Sequence, residues 1–413
     1  MNQEKAYALH TGRATVVIVF AEALSAPEVA WSLLDAGFNV TSIARRRRGS
    51  ALRHSRKVVC QEICPPEQDI ARALRDMLSV MDSIGDPHNG PILLFPLDDT
   101  AVWMCNELTL NESWILVGPG KSSADLALNK LQQARRACEA GFKVPETRVA
   151  SSVHQAIAFS EEIGFPLVLK SVESSPVRNG RKIARRTWIC ANANELDGAL
   201  REWKESIPLL LQRYIIGVGE GIFGLATPEG VQAWSAHRRL RMMNPHGSGA
   251  SACISIPVDQ SIRQKTETLI GNAKWTGLFM VELLRERSGE AWFVELNGRP
   301  WGSMALARRQ GLEYPAWSAS MTLDHDSHVD TAKSPSPGLV CRNLGRELMY
   351  LLFVIRGPRS AAMVDWPSIW TALRAILQAS HWEHYYNWRR DDKSVFFADC
   401  FYTLRNNLLK TGG

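Results

Sequence analysis

Apolar and polar positions follow two different periodicities over the first 120 residues of the chain. Short apolar runs predict strands, and the stretch that begins near Pro27 carries apolar side chains at helical spacing until Gly37. A strand, a helix and a second strand in this order form a βαβ unit, which implies a parallel sheet. The pattern therefore predicts an open α/β unit up to about residue 120, with strands at 16–20, 38–43, 92–95 and 114–117.

The rest of the chain continues this alternation with longer elements. Residues 171–187 are polar and basic, which predicts a hairpin or a flexible loop. Beyond about residue 325 the chain becomes Pro/Ser-rich and then mostly helical. Helices are predicted at 126–140, 152–163 and 195–203, and strands at 166–170, 209–216, 222–226, 231–237, 278–284 and 292–296. Four units are expected, at 1–120, 121–205, 206–325 and 326–413.

Composition narrows the class of protein. The 413 residues are 45% hydrophobic and 22% charged, which is typical of a soluble protein with several packed units. The net charge of +6 suits anionic substrates such as nucleotides and does not by itself indicate nucleic-acid binding. The run 45–48 is all arginine, and a solvated loop after a strand is the favoured interpretation; an anion-binding or membrane-surface role is the alternative.

Targeting and metal-binding signals are weak. Cys60 and Cys64 are the closest of the eight cysteines and have no second Cys or His pair nearby, so a zinc site is not expected. The apolar runs 15–20 and 348–355 are too short to cross a bilayer. We expect a cytoplasmic protein with reduced thiols and no integral membrane segment.

Two acidic strands carry the strongest chemical signal. Glu295 and Asn297 are two residues apart in an extended segment, so their side chains project from one face, and Arg299 continues that parity. Antiparallel pairing with the strand that bears Glu282 would bring a second carboxylate beside them. Hard oxygen donors that converge in this way suit Mg²⁺. The alternative is a surface hairpin with solvated acids.

Three weaker signals flank this strand pair. Lys170 ends an apolar strand and Lys130 opens a helix, where a cation is unfavourable unless an anion lies nearby. The segment 212–220 runs from a strand edge into glycines and could contact a flat base and its ribose, although a plain connection between strands is the favoured interpretation of this segment taken alone. Arg239 and Arg241 lie in a basic cluster that could stabilise phosphoryl charge or be a solvated hairpin.

Taken together and in this order, these segments resemble the ATP-grasp superfamily, in particular its carboxylate–amine ligase and carbamoyl-phosphate-synthase-like branch. The resemblance covers roughly residues 14–320. It implies an α/β fold in which a pre-ATP-grasp domain (1–120) precedes two α+β lobes (121–205 and 206–325) that clamp ATP, followed by a helical extension (326–413).

The resemblance also implies roles for individual residues. Lys130 and Lys170 would hold phosphates, and Gln212 and Ile215 would supply backbone contacts to adenine. Gly219 and Glu220 both align with the ribose position of the family, and Glu220 would bind the ribose. Glu282, Glu295 and Asn297 would hold Mg²⁺, and Arg299 with Arg239 or Arg241 would stabilise the transferring phosphoryl group.

The loop after Lys170 departs from the family pattern. Where the family has a run of glycines, this loop has only Gly180 among several basic residues. Basic side chains, Arg181 among them, would replace backbone N–H groups as phosphate contacts; alternatively, the loop is adapted to an anionic substrate, or ATP binding is weakened.

Three functions follow from the resemblance. The first is an ADP-forming ligase that activates a carboxylate as an acyl phosphate and couples it to an amine, in a chain that forms a homodimer or acts alone. The second is a bicarbonate-dependent carboxylase or carbamoyl-phosphate-like enzyme. The third is a non-catalytic ATP-binding protein, which the glycine-poor loop motivates.

Overall fold

The computed structural model describes residues 14–84, 90–203, 205, 207–247, 249–324, 327, 329, 335–363, 365–377 and 384–410. In this part of the chain, helices and strands form a parallel sheet, two further large sheets, a two-stranded hairpin and a helical C-terminal region. The predicted fold class is therefore confirmed, while the three boundaries proposed between the four units remain predictions.

The first sheet has five parallel strands in the order β3-β2-β1-β4-β5. Helices cover both of its faces, so the central strands are buried on both sides. The strand order reverses between β1 and β4, and in open α/β sheets ligands bind outside the carboxyl ends of the strands at such a point. The strands are β1 Thr15–Val19, β2 Asn39–Arg45, β3 Val59–Ile63, β4 Ile92–Pro96 and β5 Trp114–Leu116, and the helices are α1 Ala26–Asp35, α2 Ile70–Ile84 and α3 Asp99–Glu107. The hydrophobic pattern did not predict β3, α2 or α3.

The predicted helix 126–140 is two helices, α4 Lys121–Leu128 and α5 Lys130–Glu139. Asn129 between them is extended, and its side chain accepts a hydrogen bond from the Gln132 N–H, which caps α5. The single-helix prediction was therefore wrong, because an N-cap residue inside an apolar pattern begins a new helix. Lys130 is nevertheless the first residue of a helix, as expected.

The second sheet has the order β10-β7-β11-β6. The basic segment 171–187, which follows β7, contains a short hairpin of β8 and β9. A hairpin is one of the two forms expected for that segment. This hairpin is called the lid below. The elements are β6 Thr147–Ala150, α6 Val153–Ile163, β7 Leu167–Ser171, β8 Val177–Arg178, β9 Arg181–Lys182, β10 Thr187–Cys190, α7 Ala193–Trp203 and β11 Leu209–Arg213.

The third sheet is antiparallel, with the order β16-β15-β12-β13-β14-β17. Both predicted strand pairs are confirmed within it. One face packs on α5 and α8, and the other faces the first sheet and α10. The elements are β12 Val218–Thr227, β13 Gly230–Met242, β14 Ala250–Ile256, α8 Gln260–Asn272, β15 Gly277–Arg285, β16 Ala291–Asn297, α9 Met304–Arg309 and α10 Tyr314–Leu323.

The C-terminal region is mostly helical, as predicted. It comprises β17 Val340–Arg342, α11 Leu344–Arg356, α12 Ile369–Leu377 and α13 Lys393–Lys410. None of the helices in the described part of the chain is long and apolar enough to cross a bilayer.

The arginine run at 45–48 is not uniformly solvated. Arg45 is 4% exposed. Its Nη1 lies 2.6 Å from Glu22 Oε1, and its Nη2 lies 2.7 Å from Asp98 Oδ2. Only the three residues that follow are exposed. The solvated-loop prediction was wrong for Arg45, because it ends strand β2 beside two carboxylates that are distant in sequence.

Candidate active site

The two acidic strands pair as the sequence predicted. In the β15–β16 ladder Glu282 lies opposite Glu295, and Asn297 lies opposite Met280. The alternation of side chains along each strand therefore places Glu282, Glu295 and Asn297 on one face. Asn297 Nδ2 donates to Glu295 Oε1 at 3.0 Å. This hydrogen bond uses neither the Asn297 amide oxygen nor Glu295 Oε2.

A side chain from α5 holds the strand between these residues. Gln133 is buried, its Nε2 donates to the Leu296 carbonyl at 2.9 Å, and its Oε1 accepts from the Leu296 N–H at 3.0 Å. Both backbone groups of Leu296 are thus bonded to one amide. These two hydrogen bonds fix the position of Glu295 and Asn297 relative to α5.

Lys130 reaches the same face from the start of α5. Its backbone N–H donates to the Val172 carbonyl at 2.9 Å, which anchors the helix start to the chain just after β7. Its Nζ donates to Ser174 Oγ at 2.7 Å and to Glu295 Oε2 at 3.2 Å. The predicted phosphate-binding lysine therefore lies directly on a predicted metal-binding carboxylate.

Lys170 approaches from β7. Burial, and then the positive charge of Lys130, lower the pKa of Lys170 to about 8, against the opposing attraction of Glu295 and Glu282. A lysine in this position gains stability in its charged form when an anion arrives. Such behaviour fits the expected phosphate contact.

The acidic groups are already matched by cations. Burial alone would raise the pKa of Glu295, but Lys130, the hydrogen bond from Asn297, Arg299 and Lys170 together lower it well below its ordinary value. Arg239 Nη2 lies 2.7 Å from Glu282 Oε1, and both side chains are largely buried. Each carboxylate thus has a cation in direct contact, Lys130 on Glu295 and Arg239 on Glu282.

The donor set fits Mg²⁺. Among the described residues, no three His, Cys, Asp or Glu side chains form a metal-binding group. The two carboxylates and the Asn297 amide would be the protein donors, and phosphate and water oxygens would complete the shell, which is the pattern Mg²⁺ favours. The cations now on Glu282 and Glu295 supply the positive charge that these acids require.

Arg299 follows β16 and contacts a residue that the sequence did not single out. Its Nε donates to Asp99 Oδ1 at 2.6 Å. Asp99 begins α3, directly after β4, and its side chain is 13% exposed. The only sequence signal was the Asp98-Asp99 pair after a buried strand, which marks the carboxyl edge of a parallel sheet.

The linker residues Gln212 and Ile215 are both buried. Gln212 Nε2 donates to Thr147 Oγ1 at 2.7 Å. The N–H groups of Arg213 and Tyr214 donate to the carbonyls of Glu146 and Pro166, so the linker backbone is held on both sides. The adenine contact expected of this segment stays a prediction.

Gly219 and Glu220 lie on opposite faces of β12. Gly221 lies opposite Glu282, so Gly219 shares the metal-binding face, whereas Glu220 lies opposite Leu283 on the other face. The two Glu220 oxygens lie 2.8 Å from Arg238 and 2.7 Å from Arg285. This geometry does not favour the expected ribose contact by Glu220.

Two other predicted residues lie apart from the cluster. Arg241 Nη2 lies 2.7 Å from Glu347 Oε2 in α11, because bulges in β13 separate the directions of Arg239 and Arg241. Of the two, only Arg239 is brought to Glu282. Arg181 is exposed in the lid.

The basic lid is held by carboxylates of the protein itself. Lys182 Nζ lies 2.9 Å from Glu67 Oε1 and also contacts Thr100 Oγ1. Arg185 Nη1 lies 2.9 Å from Asp99 Oδ2. Arg178 in β8 pairs at 2.7 Å with Glu173, which lies between β7 and β8.

Several enzymes of known structure have folds similar to that of this chain. N5-carboxyaminoimidazole ribonucleotide synthetase in its ADP complex matches with a TM-score of 0.61 and 13% identity, over 84% of this chain and 85% of that chain. L-amino acid ligase from Bacillus licheniformis matches with a TM-score of 0.56 and 15% identity, over 75% and 74% of the two chains. The biotin carboxylase domain of Hydrogenobacter thermophilus 2-oxoglutarate carboxylase, with MgADP and bicarbonate, matches with a TM-score of 0.58 and 15% identity, over 78% and 72%.

Sequence comparison finds shorter matches. The chain is 26% identical over 121 residues to the uncharacterised protein y4rH of Sinorhizobium fredii, and 26% identical over 195 residues to the carbamoyl phosphate synthase large chain of Haemophilus ducreyi. The matches span 28% and 45% of this chain, but only 25% and 17% of those relatives' lengths. No protein-family model matches the chain.

Proposed function

We propose that this chain, which has the ATP-grasp fold, is a Mg-ATP-dependent ligase that activates a carboxylate as an acyl phosphate and couples it to an amine. The observation that carries the proposal is the ion pair between Lys130 and Glu295 on the face that also bears Glu282 and Asn297. A phosphate-binding cation and a metal-binding acid are thereby adjacent without any ligand, as a site for Mg-ATP requires.

Each residue has a defined task in this proposal. Lys130 and Lys170 bind phosphate oxygens, and the backbone at Gln212 and Ile215 contacts the base. Glu282, Glu295 and Asn297 would hold Mg²⁺, which supplies charge neutralisation for the phosphates when bound. Arg299 and Arg239 stabilise the charge that develops on the transferring phosphoryl group. Arg241 has a structural role, because it pairs with Glu347. Glu220 likewise has a structural role, because it pairs with Arg238 and Arg285.

The proposed chemistry has two steps. A carboxylate oxygen of the first substrate attacks the γ-phosphorus of ATP, the bond to the β-phosphate oxygen breaks, and ADP leaves. The nitrogen of an amine then attacks the acyl carbon, phosphate leaves with the C–O bonding pair, and the amine loses a proton. Closure of the lid would exclude water, which otherwise hydrolyses the acyl phosphate.

The test is an ADP-release screen with mixed carboxylates and amines. We expect ADP and phosphate to form only when an acid and an amine are both present, and to be lost in Glu295→Gln. Release of AMP and pyrophosphate would overturn the ligase mechanism proposed here.

A second candidate is favoured by the fold neighbours that include a biotin carboxylase crystallised with bicarbonate. The same phosphate and metal positions would serve a carboxyphosphate intermediate. ADP release that is stimulated by bicarbonate without any organic acid would support this function over the ligase. Tight ATP binding without turnover on any of these substrates would instead support the non-catalytic alternative.

A further inference from the structure

Asp99 connects three separate parts of the molecule. It begins α3 at the carboxyl edge of the first sheet. Its Oδ1 accepts from Arg299, which follows the metal-binding strand, at 2.6 Å. Its Oδ2 accepts from Arg185, which follows the lid, at 2.9 Å. One carboxylate therefore divides its two oxygens between the catalytic segment and the lid.

The two arginines differ in how firmly they are held. The Arg299 side chain is 24% exposed and that of Arg185 is 48% exposed. Burial alone would raise the pKa of Asp99, but the attraction of Arg299, Arg185 and Lys130 outweighs burial and lowers it. Asp99 is therefore a carboxylate anion whose pair with Arg299 is the more permanent one. The half-exposed Arg185 can leave when the lid moves, because solvent-exposed pairs are weak.

A second lid residue reaches the same edge of the first sheet. Lys182 binds Glu67 and Thr100, and Thr100 is the residue next to Asp99. The lid and the segment after it thus make two contacts with the N-terminal part of the chain. Of these two contacts, the one made by Arg185 shares its partner with Arg299. A contact made by Arg185 alone would close the lid without any effect on Arg299; the shared carboxylate makes the two events dependent on each other.

We propose that Asp99 is a positioning residue for Arg299 and that lid closure changes its hold on Arg299. With the lid open, both Asp99 oxygens are available to Arg299, and a bidentate pair holds the guanidinium against α3. With the lid closed, Arg185 takes Oδ2, and Arg299 keeps one bond through Nε. Its terminal nitrogens can then turn toward the transferring phosphoryl group.

This inference rests on the proposed function, because it needs Arg299 to act on a phosphoryl group. Its physical basis is the competition of two guanidinium groups for one carboxylate. The coupling makes full activation of Arg299 depend on a closed lid, so that an acyl phosphate forms only where water is excluded.

The kinetic test uses Arg185→Gln, Asp99→Asn and the double variant. We expect each single change to lower kcat by about tenfold to a hundredfold, the range for a misplaced catalytic group, with the dissociation constant of ATP nearly unchanged. The double variant should lose little more than either single one, because both changes break the same linkage. Glu173→Gln is the matched control, since it breaks a lid pair that does not involve Asp99, and its kcat should stay near that of the wild type.

A proteolytic readout does not depend on turnover. In nucleotide-free protein, Asp99→Asn should speed tryptic cleavage within residues 178–186, whereas Asp197→Asn, which breaks an exposed ion pair outside this segment, should not; thermal unfolding confirms that both variants are folded. Equal cleavage of wild type and Asp99→Asn would overturn the lid contact. Additive losses of kcat, or an effect of Arg185→Gln on ATP affinity alone, would overturn the coupling. Wild-type protein without any ADP formation would sink the proposed function while the cleavage result still judged the lid contact.

Discussion

Lys130 Nζ lies 3.2 Å from Glu295 Oε2, although 165 positions separate the two residues in the chain. The contact joins the first residue of α5 to the metal-binding strand β16. Gln133, one turn later on α5, grips the backbone of Leu296 beside it. The helix start and the strand are therefore held together, so Lys130, the proposed phosphate-binding cation, and Glu295, the proposed metal-binding acid, keep their spacing.

Replacing Glu295 by Gln should damage both stability and turnover. The change leaves Lys130, Lys170 and Arg299 without the carboxylate that offsets their mutual repulsion. We expect a lower melting temperature in the absence of nucleotide, and a fall in ADP formation of roughly a hundredfold or more, the size typical of a lost electrostatic group. Glu290→Gln is the control, because Glu290 pairs with an exposed lysine, Lys143; a similar loss in the control would contradict the assignment.

Replacing Arg239 by Gln should strengthen metal binding to the nucleotide-free protein while it weakens turnover. Arg239 is the cation on Glu282, so its removal leaves a largely buried carboxylate that a divalent cation can neutralise. Thermal unfolding with increasing Mg²⁺ should show a larger upward shift of Tm for this variant than for the wild type. Arg241→Gln is the matched variant, because it removes the cation from Glu347. It should lower Tm, but Mg²⁺ should not restore Tm, because Glu347 lies in α11, apart from Glu282, Glu295 and Asn297.

ATP affinity should depend on pH through Lys170. Its pKa in the free protein is lowered to about 8 by burial and by Lys130, and a bound polyphosphate raises it again. The complex therefore holds the lysine proton more tightly than the free protein does. Affinity should be highest below pH 8 and should weaken as pH rises above it, measured by calorimetry between about pH 6.5 and 9.5.

The matched variant is Lys170→Arg, which remains charged over this range. Its ATP affinity should lack the decline above pH 8. A decline of equal size in both proteins would show that another group titrates.

Replacing Glu220 by Gln should reduce stability without altering recognition of ribose. Glu220 is buried and binds two arginines on the face away from Glu282. We expect a loss of about 3 kcal/mol in the free energy of unfolding, at the low end for breaking a buried pair because Arg238 is half exposed. The ratio of affinities for ATP and 2′-deoxy-ATP should not change; a variant that loses this preference would restore the ribose role.

Local rules of side-chain direction made part of the site legible from sequence. Glu295 and Asn297 share a face because the strand has a period of two, and Lys130 begins a helix because Asn129 caps it. These features depend only on neighbouring residues. The strand pair, the parallel sheet and the order of the two lysines before the acidic strands follow from the same local patterns.

Long-range packing decided the rest. The choice between Gly219 and Glu220 depends on the register with β15, and a shift of one residue exchanges the two faces. Arg239 and Arg241 differ in partner because of bulges in β13 that no hydrophobic pattern shows.

The sequence by itself determined many of the elements, their order and the shared face of Glu295 and Asn297, since these arise from interactions between near neighbours. Only the tertiary structure decided that Lys130 rests on Glu295, that Arg45 is buried, and that Asp99 joins Arg299 to the lid. Each of those contacts depends on how separate sheets and helices pack. A buried charge takes whichever opposite charge that packing brings within reach, and no local pattern encodes the choice.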